Sequence, residues 1–180
     1  MSIKPHNILA LMAALGLLAA SQGYAQGEPR PAAEGELSEQ DREFVQKVAI
    51  ANMAEIKLGK LAGQKATSPD VRAFGERMVR DHEKAGMKLK SVAKELKLEP
   101  PKRMPEKQKN LGEALAELEG DLFDSEYIWN MVAAHTVAVN VFERQIENGA
   151  NPKLVNSARQ TLPTLEEHRQ QAVEIWEQIQ

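Results

Sequence analysis

Three histidines and a glutamate, His82, His135, His168 and Glu55, stand where apolar stripes of helical period are interrupted by a polar residue. Imidazole nitrogens and a carboxylate gathered at one place would make a ligand set for a divalent transition metal such as zinc, copper, iron or nickel. Asp81 and Glu167 each adjoin one of these histidines. Neighbours on a helix point about 100° apart, so one member of each pair can face inward while the other steadies an imidazole from outside or meets solvent. The same residues also suit a metal-free role, as a hydrogen-bonded polar layer that fixes the register of packed helices. Di-iron bundles require a Glu-x-x-His pair on two helices. Here Val79, Val132 and Leu165 stand three residues before the histidines, so that motif is absent.

Other chemistries find less support. The chain has no cysteine, which removes thiolate metal sites, disulfides and the lipobox of a lipid-anchored protein. No serine–histidine pairing with an orienting carboxylate can be drawn from the spacing, and no glycine-rich phosphate loop is present. Met78 is one turn from His82, but Met78, Met87, Met104 and Met131 are too dispersed for a thioether copper site. The lysines and arginine from Lys84 to Lys109 are interrupted by acids and lack interleaved aromatics, as on a solvated face.

The elements that would carry the four polar positions are four long amphipathic helices. Ser38 with Asp41 resembles a capping box, opening a helix to about Ala66 striped by Phe44, Val48, Ala51, Leu58 and Ala62, with Glu55 in the gap. Ser68-Pro69 opens a second, striped by Val71, Phe74, Met78, Ala85, Leu89, Val92 and Leu96, its gap at Asp81 or His82. Pro100, Pro101 and Pro105 start a long connection in which Gln108 to Glu119 reads as a short helix. A third long helix spans about Asp121 to Asn148, with Ile128, Met131, Ala138, Phe142 and Gln145 flanking His135. Asn151-Pro152 opens the fourth, where Pro163 is expected to cause a bend. Asp124 reads as a favourable first-turn charge, Tyr127 as a core residue with its hydroxyl satisfied, and Trp129 and Trp176 as core or boundary residues.

Matched lengths, two short links and one long link predict an all-α, ferritin-like antiparallel four-helix bundle with a crossover and short extra helix between helices two and three. In such a bundle the helix midpoints share one level, and the polar gaps meet there.

Ahead of the bundle, Lys4, the apolar run Ile8 to Ala20 and the small residues Gly23-Tyr24-Ala25 read as a cleavable signal peptide over residues 1–25. Residues 26–37, rich in proline, glycine and acids, read as a disordered lead-in, and the bundle domain follows over 38–180. The expected address is the periplasm, with no transmembrane segment left after cleavage. Cleavage removes one lysine from a chain of net charge −3, leaving roughly −4, a balance that argues against a nucleic-acid partner.

The ordered motifs Phe44…Ala54-Glu55…Gly59-Lys60-Leu61-Ala62, Val71-Arg72-Ala73-Phe74…Met78-Val79-Arg80-Asp81-His82, Phe123-Asp124…Tyr127…Met131-Val132…His135 and Leu162-Pro163-Thr164-Leu165…His168 resemble an exported ferritin-like bacterial family, domain of unknown function 4142. The resemblance runs from about Asp41 to Val173 and implies an envelope-associated helical bundle without an assigned reaction. Three functions fit these observations. The first is a structural, interaction or stress-associated envelope protein with an envelope protein as partner. The second is a metal-binding bundle centred on Glu55, His82, His135 and His168, and the third a ferritin-like redox enzyme.

Overall fold

The computed structural model describes residues 37–180; the expected signal peptide and all but the last residue of the lead-in lie outside them. Five helices follow in order: α1 (Glu39–Lys65), α2 (Pro69–Glu95), α3 (Glu106–Ala116), α4 (Gly120–Asn148) and α5 (Pro152–Gln178). No helix among the described residues is long and apolar enough to cross a membrane. The capping box at Ser38 and Asp41 is formed, and Ser68 and Asn151 cap α2 and α5 with proline in the first turn. The helix α3 starts at Glu106, two residues before the expected Gln108 and just beyond Pro105, whose fixed φ suits a helix entrance, and stops at Ala116, short of the expected Glu119. The helix α5 continues through Pro163 without interruption.

Two buried aspartates show how the helices run. Asp41, at the start of α1, accepts hydrogen bonds from Gln145 Nε2 (2.6 Å) near the end of α4 and from the Asn151 backbone N–H (3.1 Å). Asp124, at the start of α4, accepts from the Thr67 hydroxyl and from the backbone N–H groups of Thr67 and Ser68, between α1 and α2. Thus α1 and α4 are antiparallel. Asp124 does more than the expected first-turn charge: its carboxylate satisfies donors that helix ends leave open.

This arrangement explains the crossover. The helix α2 ends at the α1-start end of the bundle, where Leu96 and Leu98 pack, whereas α4 begins at the opposite end. The connection must travel the bundle's length. On the way Leu111 and Leu115 of α3 join the core, and Lys65 donates to the Ala116 carbonyl (2.7 Å).

The close approach of α1 and α2 depends on Gly59 and Gly75. A Cβ on Gly59 would lie 2.6 Å from the Gly75 carbonyl oxygen, and one on Gly75 would lie 2.7 Å from the Ala62 Cβ. Trp129 and Trp176 are half-buried on α4 and α5, their rings 5.1 Å apart.

The apolar core is divided in two. One cluster surrounds Phe74, Met78, Phe123, Tyr127 and Met131; the other surrounds Phe44, Leu89, Val139, Phe142 and Leu165. Between them, at mid-helix, lies the buried polar set Asn52, Glu55, His82, His135 and His168. Ala51, read as part of the α1 stripe, faces outward, and Asn52 takes the inward place.

Candidate metal centre

His82 comes from α2, His135 from α4 and His168 from α5, and all three are buried, with 6%, 1% and 1% of their surface exposed. Their ring centroids are 5.2 to 5.7 Å apart. One ring nitrogen of each lies within 4.8 Å of the other two. Coordination by metal–nitrogen bonds near 2.0 Å places nitrogens about 3.4 Å apart, so each ring would move inward by at most about 0.8 Å.

Each imidazole is fixed by one hydrogen bond to an oxygen. His82 Nδ1 donates to Asn52 Oδ1 (2.8 Å), His135 Nδ1 to the Met131 carbonyl (2.9 Å), and His168 Nε2 to Asp81 Oδ2 (2.9 Å). A carbonyl and a carboxylate only accept, so the bonded nitrogen carries the proton. The opposite nitrogens therefore bear lone pairs: His82 Nε2, His135 Nε2 and His168 Nδ1. All three are fully buried and meet no hydrogen-bonding protein atom among the described residues.

The electrostatics keep those lone pairs free. Burial, reinforced by the neighbouring imidazoles, pushes His82 down to about 3, and burial with the nearby His168 pushes His135 down to about 4. Burial also lowers His168, outweighing the opposing pull of Asp81. At neutral pH the cluster is thus three neutral imidazoles with mutually repelling lone pairs in an environment that resists protons. That is the ligand form that metals require. Burial tends to raise Asp81, but the bonds from His168 and Arg77 prevail and hold its carboxyl below the usual range.

Of the residues singled out in the sequence, the structure brings together His82, His135 and His168. Glu55 shares the polar layer but does not belong to the set of converging donor atoms. Burial drives its carboxyl up to about 8, so it is mostly protonated at neutral pH, and its Oε2 has no hydrogen-bond partner. The Tyr127 hydroxyl, expected to be satisfied, also meets no partner among the described residues, and burial together with Glu55 raises it well above its ordinary value. Asp81 and Glu167 lie toward the surface, their side chains 32% and 67% exposed. Both pair with Arg77, through Nε to Asp81 (3.2 Å) and a terminal nitrogen to Glu167 (2.9 Å).

Sequence reasoning missed two of these partners. Asn52, which orients His82, lies one turn before Glu55, and a wider inward face that includes Val45 and Ala49 would have found it. Arg77 joins α2 to α5, a pairing that helical period cannot reveal.

The fold and site define an all-α, ferritin-like bundle with a buried trihistidine cluster. The chain belongs to the family described as domain of unknown function (DUF4142), whose model matches residues 26–175. No curated protein matches the sequence. Among solved structures it resembles a DUF305 fragment from Deinococcus radiodurans, with a TM-score of 0.69 and 13% identity over 79% of this chain and 98% of that one. It also resembles a putative secreted DUF305 protein from Streptomyces coelicolor, with a TM-score of 0.66 and 11% identity over 78% of this chain and 91% of that one. A third is CopM in its Cu(I)-bound form, with a TM-score of 0.64 and 18% identity over 77% of this chain and 96% of that one. At these identities the likeness establishes the fold alone.

Proposed function

We propose that this protein is an exported metal-binding bundle that holds one transition-metal ion on His82, His135 and His168. The observation that carries the reading is the gathering of three buried histidines, one ring nitrogen of each within 4.8 Å of the other two, each residue also carrying a buried, unprotonated ring nitrogen with no protein partner among the described residues. Such an arrangement costs free energy in apolar surroundings unless something accepts the lone pairs.

The ligand set favours copper in its monovalent state. Three neutral imidazoles bring no charge to offset the ion, and the Born cost of burying a charge rises with its square, so a monovalent ion is buried far more cheaply than a divalent one. The Cu(I)-bound state of CopM, a protein of similar fold, is consistent with this preference. A divalent ion such as zinc would need compensation, and the buried Glu55 carboxyl of the same layer, its Oε2 without a partner, could supply it once it gives up its proton.

Residues 1–25 act as a cleaved signal, residues 26–37 as a lead-in and residues 38–180 as the bundle, giving a periplasmic location. A secreted protein among the structural neighbours supports export. Elemental analysis of protein purified from the periplasm without a metal-binding tag tests the function. One equivalent of a single transition metal per chain, lost in a His82→Ala variant that still folds, is the expected result; folded protein free of metal would overturn it.

A second reading, a structural or interaction protein of the envelope, is favoured by two of the same hydrogen bonds. Asn52–His82 joins α1 to α2 and Asp81–His168 joins α2 to α5, and both would lock helix register without an ion. This reading predicts full function in histidine variants that retain the fold.

A further inference from the structure

Two of the three imidazoles are anchored entirely inside the protein: Asn52 is 6% exposed, and the Met131 carbonyl belongs to a residue with no exposed surface. His168 differs. Its partner Asp81 lies within the α2–α5 seam with a side chain 32% exposed, so one hydrogen bond separates the buried cluster from solvent.

Along the bundle axis apolar packing closes the cluster, with Phe74, Met78 and Met131 on one side and Leu89, Val139 and Leu165 on the other. A bare ion crossing either layer would lose its hydration with nothing to replace it.

The exposed end of the Asp81 route is held by one cation. The Arg77 guanidinium donates to Asp81 Oδ2 (3.2 Å), to Glu167 (2.9 Å) and to Gln171 Oε1 (2.7 Å), binding α2 to α5 across the seam. Its positive charge lies between two carboxylates, one of them bonded directly to His168. It therefore occupies the position that an incoming metal ion would be drawn to.

We infer that Arg77, Asp81 and Glu167 form the latch of the trihistidine site, and that a metal ion enters or leaves along the α2–α5 seam by exchanging with the Arg77 guanidinium. The inference rests on the metal-binding reading and adds its route and its control. Asp81 has a second part in it. By accepting the Nε2 proton of His168 it leaves Nδ1 as the unprotonated nitrogen, whereas in His82 and His135 that nitrogen is Nε2.

The test is the rate at which loaded protein releases its ion, Cu(I) or, for a protein that takes up only Zn(II), Zn(II), to a chromogenic chelator for that ion, followed by stopped flow. Arg77→Gln should release the ion up to about fivefold faster, the scale expected when partly exposed ion pairs are removed, with one ion still bound at equilibrium. Arg77→Lys, which keeps the charge but not the fork of donors, should fall between the two. Lys153→Gln removes a remote exposed pair with Glu95 and should leave the rate unchanged. Equal rates in the wild type and Arg77→Gln, or equal acceleration by Lys153→Gln, would overturn the latch while leaving the site intact. A wild-type protein that takes up no Zn(II) and no Cu(I) would instead overturn the site itself, and the latch with it.

Discussion

Lowering the pH of the metal-free protein from 7 to 5 should cost less than half of what its buried histidines alone would lose, and Glu55→Gln should expose a steeper loss that the wild type partly conceals. His82 and His135 have folded values near 3 and 4 against an unfolded value of 6.5. Below 6.5 the unfolded chain therefore takes up protons that the folded one refuses, and stability falls with pH by up to about 1.4 kcal/mol per unit for each histidine. At pH 5 the two together cost about 4 kcal/mol, and His168, lowered in the same direction, adds to the loss. Glu55 acts oppositely. Its folded value is near 8 against an unfolded 4.5, so its contribution is fully present below 4.5 and is lost as pH rises toward 8. Going from pH 7 to 5 thus recovers about 2.5 kcal/mol, offsetting more than half of the loss from His82 and His135. Urea denaturation in the presence of a chelator, at pH 7, 6 and 5, measures this through the transition midpoints. Parallel curves for the wild type and Glu55→Gln would refute the buried, protonated carboxyl. A Glu55→Gln protein insensitive to acid would refute the buried histidines.

Three further outcomes follow from the packing and the site. Gly59→Ala should destabilise by about 1–3 kcal/mol through collision with the Gly75 carbonyl, despite better helix propensity; Gly63→Ala, whose Cβ would meet only Glu76 Cγ at 3.9 Å, should be neutral or stabilising in the same thermal melts. Asp124→Ala should cost about 2–3 kcal/mol, because it strips partners from the Thr67 and Ser68 donors, and hydrogen exchange should quicken first at the α1–α2 turn. Free metal at a hundred times its dissociation constant should stabilise by about 2.7 kcal/mol, raising the melting temperature by roughly 5–10 °C; His135→Ala, which deletes one of the three ligands, should abolish most of that rise.

The architecture was legible because each signal was local: caps, prolines, an amphipathic period and one long link together define a crossover bundle. The mid-helix positions of His82, His135 and His168 were legible for the same reason, since matched antiparallel rods put their centres at one depth. Details that depend on a rotation of 100° or on the far side of a seam were not. Asn52 rather than Ala51 faces inward because the buried face of α1 is wider than the apolar stripe alone and takes in Val45, Ala49, Asn52 and Gly59 beside Phe44, Val48, Leu58 and Ala62. Asp81 and His82 were both candidates for the gap, and burial selects the imidazole while the carboxylate reaches Arg77. Asp124 was read as a dipole partner because its ligands, Thr67 and Ser68, stand more than 50 residues away.

X-ray absorption at the metal edge of stoichiometrically loaded, untagged protein reads the ligand set itself. Three imidazole nitrogens at about 2.0 Å from one ion are expected, decreasing to two in His168→Ala. A spectrum dominated by sulfur or by carboxylate and water oxygens, or one unchanged by that substitution, would contradict the trihistidine site.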